Sequence, residues 1–275
     1  MTRRYYPYLS PKIVPAFPAE TGTLDCVIDF NHILRTRAYR RVSGSAMMEV
    51  AVYGDGRVLD TERFEAEVRD GRALLEPVIR HYAASGSGYG YAEFSFRMSE
   101  PVFLKILPEP GYAVLKTPAG SITINADMKY ANPRTIEQIM HYGKFSMIHS
   151  GVHVDPDSDS GNSLLLINPY DQPLLARLVS DTGETLSHRM KARTAGLVDL
   201  EPLVTPGRPG AIIVTANNRV ITYDVKHARS NPARINSIDH LDPFSGYRTH
   251  EPQGLPGTLG YWAREAARGL GIRYD

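Results

Sequence analysis

The chain has 275 residues, of which 42% are hydrophobic and 22% are charged, and its formal net charge is +1 at pH 7. This length allows one large domain or two small ones. The near-balance of charge argues against a dedicated nucleic-acid binder, which usually carries a strongly basic face. We therefore expect no nucleic-acid partner.

The single cysteine, Cys26, excludes a disulfide within the chain and fits a reducing compartment. The N-terminus has basic residues but no apolar stretch behind them, and no run elsewhere reaches the ~18 apolar residues of a membrane span. We therefore expect a cytoplasmic protein with neither signal peptide nor membrane span.

The first 20 residues contain four prolines and are predicted to form an extended arm. Residues 21–130 are predicted to form a first β-sandwich unit, in which the turn Gly54-Asp55-Gly56 separates an apolar strand from an alternating one. Residues 131–147 are predicted as a connecting helical segment, because Pro133 is tolerated in a first helical turn.

Residues 148–229 are predicted to form a second β-sandwich unit. Its strands are separated by strong turn signals, of which Asp181-Thr182-Gly183 is typical of a hairpin. The order of strands and turns repeats that of the first unit, which indicates a structural duplication. The alternative is that two β-units share generic turn chemistry.

Residues 230–275 are rich in turn-forming residues and are predicted as a loop-rich tail. Thr258 to Leu270 is the exception, because an apolar stripe that includes Trp262 indicates a helix ending at glycine. The sequence thus predicts an all-β protein with two tandem antiparallel β-sandwich units, an extended N-terminal arm and a C-terminal helix.

One acidic stretch suggests a divalent metal ion, the only cofactor that the sequence brings into consideration. Its carboxylates at alternate positions are similar to the start of a calcium loop, but Ser160 and Leu166 stand where glycine and glutamate are required. A solvated acidic loop is the alternative. The candidate metal ligands are His149, His153, Asp155, Asp157 and Asp159.

A second set of residues suggests a partner-binding surface. Four arginines close together in the sequence suit an anionic partner or a solvated strand face, and aromatic residues with a polar tip suit interfaces. These candidate partner-binding residues are Arg35, Arg37, Arg40, Arg41, Tyr89, Tyr91 and Trp262. The glycine-rich loop before Tyr91 lacks the Gly-Lys-Ser/Thr ending of a phosphate loop.

The repeated unit resembles the sensory rhodopsin transducer family. In the second unit the resemblance lies in Leu165–Asn168, Leu178–Asp181 and Ile212–Asp224, and in the first unit in Glu49–Asp55 and Phe94–Ile106. That family consists of small soluble β-sandwich proteins that oligomerise and bind partners without catalysis. The resemblance implies a homo-oligomer with protein partners, and a role in signalling.

No zinc-protease, paired-cysteine or nucleophile-elbow motif occurs in the chain. We therefore favour a non-enzymatic binding or assembly protein that acts through protein–protein contacts. The alternative is a carbohydrate-active or metal-dependent enzyme, or a carbohydrate-binding protein. Its site would lie on the sandwich loops near residues 85–91 and 149–159, because such sites assemble from separate loops.

Overall fold

The computed structural model of the chain describes residues 11–34, 42–84, 88–99, 111–129, 147–148 and 151–241. These residues form an all-β fold, with one five-residue helix and one short 3-10 turn. The predicted C-terminal helix, most of the predicted connecting helical segment and the first ten residues of the predicted arm lie outside the described residues.

Among the described residues, ten strands and the helix lie in the first half of the chain. Alternating side chains in β3 and β7 bury one face of each strand, as expected for a sheet with one face in a core. The elements are β1 Lys12–Ala16, β2 Thr23–Ile28, α1 Phe30–Leu34, β3 Gly44–Gly54, β4 Arg57–Arg69, β5 Arg72–Ala73, β6 Val78–Tyr82, β7 Gly90–Met98, β8 Gly111–Thr117, β9 Gly120–Ile124 and β10 Asp127–Met128.

Nine further strands lie in the second half. The apolar run at residues 164–167 lies in β13, in which eight of the nine residues are buried because both faces of the strand pack inside the protein. The strands are β11 Met147–Ile148, β12 Val152–Val154, β13 Ser160–Asn168, β14 Leu174–Ser180, β15 Thr185–Met190, β16 Thr194–Asp199, β17 Gly210–Ala216, β18 Ile221–Ala228 and β19 Asn231–His240.

The strands form four antiparallel sheets, two in each half. Sheet 1 has the order β10-β1-β7-β3-β4-β5, and sheet 2 has the order β6-β2-β8-β9. Sheet 3 has the order β17-β14-β15, with β11 and β12 both pairing with the other side of β17, and sheet 4 has the order β16-β13-β18-β19.

The two halves share one strand topology. The path β1-β7-β3-β4 of sheet 1 corresponds to β12-β17-β14-β15 of sheet 3, and β6-β2-β8-β9 of sheet 2 corresponds to β16-β13-β18-β19 of sheet 4. Corresponding strands follow one another in the same chain order. The predicted turns at Gly54-Asp55-Gly56 and Asp181-Thr182-Gly183 join equivalent hairpins, β3–β4 and β14–β15.

Two hydrophobic cores meet at sheet 4. Leu164 and Leu166 of β13 belong to the core that sheet 4 shares with sheet 3, whereas Leu165 and Ile167 belong to the core that includes sheets 1 and 2. Because successive side chains of a strand point to opposite faces, sheet 4 packs on both sides. The two halves of the chain are therefore joined through sheet 4.

Two predicted segments differ from the structure. Residues 12–16 of the predicted arm form β1, a fully buried strand between β10 and β7. Residues 231–240, predicted as part of the loop-rich tail, form β19. The pairing of β19 with β18 shifts register near His227. As a result, its buried residues Ile235 and Ile238 lie three positions apart, and the sequence does not show the alternation with a period of two that is typical of a strand.

No helix in the part of the chain that the structure describes has the length and hydropathy needed to cross a membrane.

Candidate functional site

The predicted metal-binding stretch forms a tight turn after β12. Asp155 accepts a hydrogen bond on its carboxylate from the backbone N–H of Asp157, at 3.0 Å. The hydroxyl of Ser158 lies within hydrogen-bonding distance of two carbonyl oxygens, those of Asp155 and Ser160. This is the side-chain-to-backbone bonding typical of aspartate in turns, and it commits one Asp155 oxygen to the backbone.

Arg229 supplies a positive charge to this turn. Its guanidinium donates to the carbonyl oxygens of Ser158 at 3.2 Å and Ser160 at 3.4 Å, and it pairs with the Glu201 carboxylate at 3.1 Å. Carbonyl and carboxylate oxygens are also the ligands that hard cations prefer. The chain therefore places its own cation against the turn that the sequence suggested for a metal ion.

Few of the proposed metal ligands come together. His153 is exposed, and its carbonyl oxygen accepts a hydrogen bond from the ammonium of Lys226 at 3.0 Å. His149 lies outside the described residues. Within the described residues, no group of three or more histidine, cysteine, aspartate or glutamate side chains is arranged to hold a metal ion. The five-residue set stays a prediction.

A polar cluster lies beside the turn, at the margin between sheets 3 and 4. Lys226 donates to the Asn162 amide oxygen at 2.6 Å and pairs with Asp224 at 3.2 Å. Asn162 in turn donates to Glu201 at 3.1 Å. Burial raises the pKa of the Asp224 carboxyl, Lys226 opposes that rise, and the neighbouring Asp239 adds to it.

A serine–histidine pair lies on the opposite face of sheet 4. The Ser163 hydroxyl lies 3.0 Å from Nε2 of His227, whose Nδ1 lies 3.1 Å from the carbonyl oxygen of Ala228. Because that carbonyl can only accept, Nδ1 carries the proton and the Ser163 hydroxyl donates to Nε2. Both side chains are buried, so the pair resembles a nucleophile and base but lacks exposure to a substrate.

A histidine–aspartate pair lies on the outer face of sheet 2. The buried carboxylate of Asp25 accepts hydrogen bonds from Nδ1 of His81 and from the ammonium of Lys116, both of which are largely exposed. Burial acts to raise the pKa of the Asp25 carboxyl, but the hydrogen bonds and charges of Lys116 and His81 outweigh it and hold that pKa below its usual value.

Two of the predicted aromatic partner-binding residues, Tyr91 and Tyr89, differ in how far they are buried. Tyr91 is fully buried, and its ring stacks on Tyr53 with the centroids 4.7 Å apart. The guanidinium of Arg193 lies 5.8 Å from the Tyr53 ring centroid, so these rings lie where the two halves meet. Tyr91 therefore has no surface left for a partner. Tyr89 is half-buried, with its ring edge against Phe17.

The remaining predicted partner-binding residues, Arg35, Arg37, Arg40, Arg41 and Trp262, lie outside the described residues.

Two exposed apolar side chains, which lie on opposite faces of sheet 3, were not predicted. Ile213 on β17 is 43% exposed and pairs with Val179 on the outer face of the sheet, and Leu186 on the edge strand β15 is 36% exposed. In the sequence, Ile213 lies in a continuous β-branched run, which does not reveal which residue faces outward. Only the pairing of the strands distinguishes it from the buried Ile212.

An open cavity of about 380 Å³ lies where the two halves meet. It is lined by the turn between β8 and β9 and by the start of β19, and most of its lining is apolar. Its charged groups are Glu20 and Arg234, and the other lining residues are Pro118, Ala119, Asn231 and Ala233.

Comparison with known proteins finds no similar protein: no family model, curated protein or solved structure matches the chain at a significant level.

Proposed function

We propose that this chain is a non-enzymatic β-sandwich protein that binds or assembles with protein chains through the surface of its sheets. The observation that carries the proposal is the exposed edge of sheet 3, where Leu186 projects from the ordered strand β15 with 36% of its surface exposed. Exposed apolar residues on a rigid sheet favour contact with another protein because burying them removes apolar area from water.

The state of the reactive side chains supports a binding role. His227 uses both ring nitrogens inside the fold, and the Ser163 hydroxyl beside it is buried. Cys26 is buried, and burial raises the pKa of its thiol, which disfavours the reactive thiolate. These groups stabilise the sheets and offer little to a substrate.

The proposal includes a tandem duplication of one β-sandwich unit. The matching strand orders of sheets 1 and 3 and of sheets 2 and 4 support it. The resemblance to sensory rhodopsin transducers adds two expectations, a homo-oligomer and a signalling role, and the single cysteine adds the expectation of a cytoplasmic location.

A second candidate function is an enzyme with its site on exposed loops or sheet surface, acting on carbohydrate or with a metal ion. One observation favours it. The buried carboxylate of Asp25 orients the exposed His81 by accepting a hydrogen bond from its Nδ1, and a histidine held in this way by a carboxylate is typical of metal ligands that bind through the other nitrogen.

The solution mass of the full chain tests the assembly proposal. Light scattering on a size-exclusion column would compare the full chain with a version lacking residues 1–10 and 257–275. Residues 11–20 are kept because β1 begins at Lys12 and is buried. A defined oligomer supports the proposal, and its loss on trimming would place the terminal segments at the interface. A full chain that stays monomeric at all concentrations contradicts homo-assembly.

A further inference from the structure

Most sheet edges in the described part of the chain are protected against pairing with another chain. Sheet 1 ends at β10, which has two residues, and at β5, which pairs only with Val68 and Arg69 of β4. The rest of the β4 edge carries charged side chains, those of Asp60, Glu62, Arg63, Glu65 and Glu67. In sheet 4, β16 is largely half-buried, and β19 contains Pro232 and pairs irregularly with β18. Short strands, proline and bulges are the devices that prevent edge-to-edge association.

Sheet 2 is protected in similar ways. Its edge strand β9 contacts β19 of the other half. Its other edge, β6, directly follows Pro77 and carries two cationic or titratable side chains, Arg80 and His81, which are held by Glu62 and Asp25. Charged side chains on an edge strand oppose pairing with another strand because their burial costs desolvation.

The strand β15 at the edge of sheet 3 lacks these protections. It pairs with β14 over six successive residues without a register shift, and within the described residues no strand pairs with its other side. It contains no proline and one permanent charge, Arg189. Thr185, Leu186 and Ser187 are exposed, as expected for an edge whose outward-pointing N–H and C=O groups face solvent.

We propose that β15 is a dimerisation edge, which pairs antiparallel with β15 of a second copy of this chain about a two-fold axis at Leu186. This inference rests on the proposed assembly function and names its partner and surface. The pairing would join the two copies of sheet 3 into one continuous sheet. A two-fold axis makes such an interface self-complementary, since the same residues contribute from both copies.

The register centred on Leu186 is favoured by packing. Leu186 lies opposite Leu178 of β14, which is fully buried in the core between sheets 3 and 4. Leu186 is therefore at the open rim of that core, and 36% of its surface is exposed. A second Leu186 across the axis would cover this rim and extend the core over both copies.

The same register is compatible with the polar side chains of this edge. It places Glu184 of each copy opposite His188 of the other, so that the carboxylate can accept a hydrogen bond from an imidazole N–H, and it places Thr185 opposite Ser187. Arg189 falls opposite Gly183, so no like charges oppose each other across the axis. Hydroxyl pairs stabilise cross-strand neighbours, whereas like charges directly opposite destabilise them.

The first test replaces Leu186 by lysine. Leu186→Lys places two ammonium groups against each other at the axis, and lysine is a residue that natural edge strands use to block pairing. The matched control is Ile213→Lys, which removes a similarly exposed apolar side chain from β17 in the interior of the same sheet. Masses would be measured by light scattering over a concentration series, with circular dichroism to confirm that each variant is folded.

The second test probes the register with single cysteines and does not require loss of the dimer. Residues directly opposite in an antiparallel pair have Cα atoms about 4.5–5.5 Å apart, within the range that a disulfide spans. Leu186→Cys should therefore form a disulfide between copies under mild oxidation, whereas Ile213→Cys should not. The native Cys26 is buried and does not compete.

We expect the mass of a dimer for the wild type and for Ile213→Lys, and the mass of a monomer for Leu186→Lys. We also expect that Leu186→Cys forms a disulfide between two copies. A dimer that survives Leu186→Lys and does not cross-link at position 186 overturns the edge pairing but leaves assembly standing. A wild type that is monomeric throughout the concentration series overturns both the edge pairing and homo-assembly.

Discussion

Tyr223 donates a hydrogen bond from its phenol oxygen to the carbonyl oxygen of Asn125, 3.0 Å away. Tyr223 lies on β18 of sheet 4, and Asn125 lies between β9 and β10 of the first half. The same oxygen lies 3.3 Å from the carbonyl oxygen of Ile13 on β1. Beside it, His240 pairs with Asp127 at 3.1 Å. Tyr223 therefore connects sheet 4 of the second half to the backbone of the first half, on β1 of sheet 1 and on the segment that joins sheet 2 to sheet 1.

Tyr223→Phe should lower the free energy of unfolding by about 1 kcal/mol, because it removes a buried hydrogen-bond donor and leaves a buried carbonyl without it. Urea denaturation at pH 7 would measure the change. Tyr89→Phe is the matched control, since the Tyr89 ring packs on Phe17 within the first half. An equal effect of the two substitutions would show that the hydroxyl of Tyr223 does not join the halves.

Gly161→Ala should destabilise the chain by roughly 1–3 kcal/mol, the usual cost of overpacking. A Cβ at position 161 would lie only 2.3 Å from Cε1 of His227, whose buried ring is held by Ser163. Gly151→Ala is the control, because its nearest neighbour would be 3.8 Å away, an ordinary contact. Thermal unfolding would compare the two. If both variants melt like the wild type, the ring of His227 does not pack on Gly161.

Asp224→Asn should stabilise the chain at neutral pH. Burial raises the pKa of the Asp224 carboxyl. A carboxyl with a raised folded pKa contributes stability below its unfolded pKa of about 3.9 and loses that contribution as pH rises through the folded pKa. The variant should therefore match the wild type near pH 3.5 and exceed it at pH 7.

Urea midpoints at the two pH values would test this prediction. Asp239→Asn is the comparison variant, because Asp239 pairs directly with Asp224 across the strands but is exposed. It should give a change of the same sign and smaller size. A lower stability of Asp224→Asn at pH 7 would mean that the ion pair with Lys226 outweighs burial.

Arg229→Ala should loosen the turn at residues 155–160, because its guanidinium holds two carbonyl oxygens of that turn and the Glu201 carboxylate. Limited proteolysis followed by mass spectrometry should show faster cleavage within the turn. Arg208→Ala, an exposed arginine in the loop before β17, is the control. Unchanged cleavage in Arg229→Ala would mean that the turn is held without the arginine.

Local patterns predicted much of the fold. The acidic and glycine turns at residues 54–56 and 181–183 correctly indicated hairpins, because glycine and aspartate allow the positive φ that Asp55 and Gly183 adopt. The tripeptide Leu-Glu-Pro occurs in both halves, at residues 75–77 and 200–202, but it does not mark equivalent positions. It precedes β6 in the first half but follows β16 in the second, although β6 and β16 occupy corresponding places.

The arrangement of the polar residues could not be predicted from the sequence. Arg229 and Ser158 are 71 positions apart and meet because β18 pairs with β13. The pattern of β15 showed an alternating strand, but not that it lies at the edge of a sheet. Edge and interior strands differ in their neighbours, and those depend on the topology of the whole chain.

Differential scanning calorimetry of the intact chain tests most directly whether the four sheets form one unit around sheet 4. Because alternate residues of β13 belong to the cores of both halves, neither half can unfold without exposing Leu165 or Leu164 and their neighbours. We predict a single transition in which the calorimetric and van't Hoff enthalpies agree. Two separate transitions would show that the halves fold as independent domains.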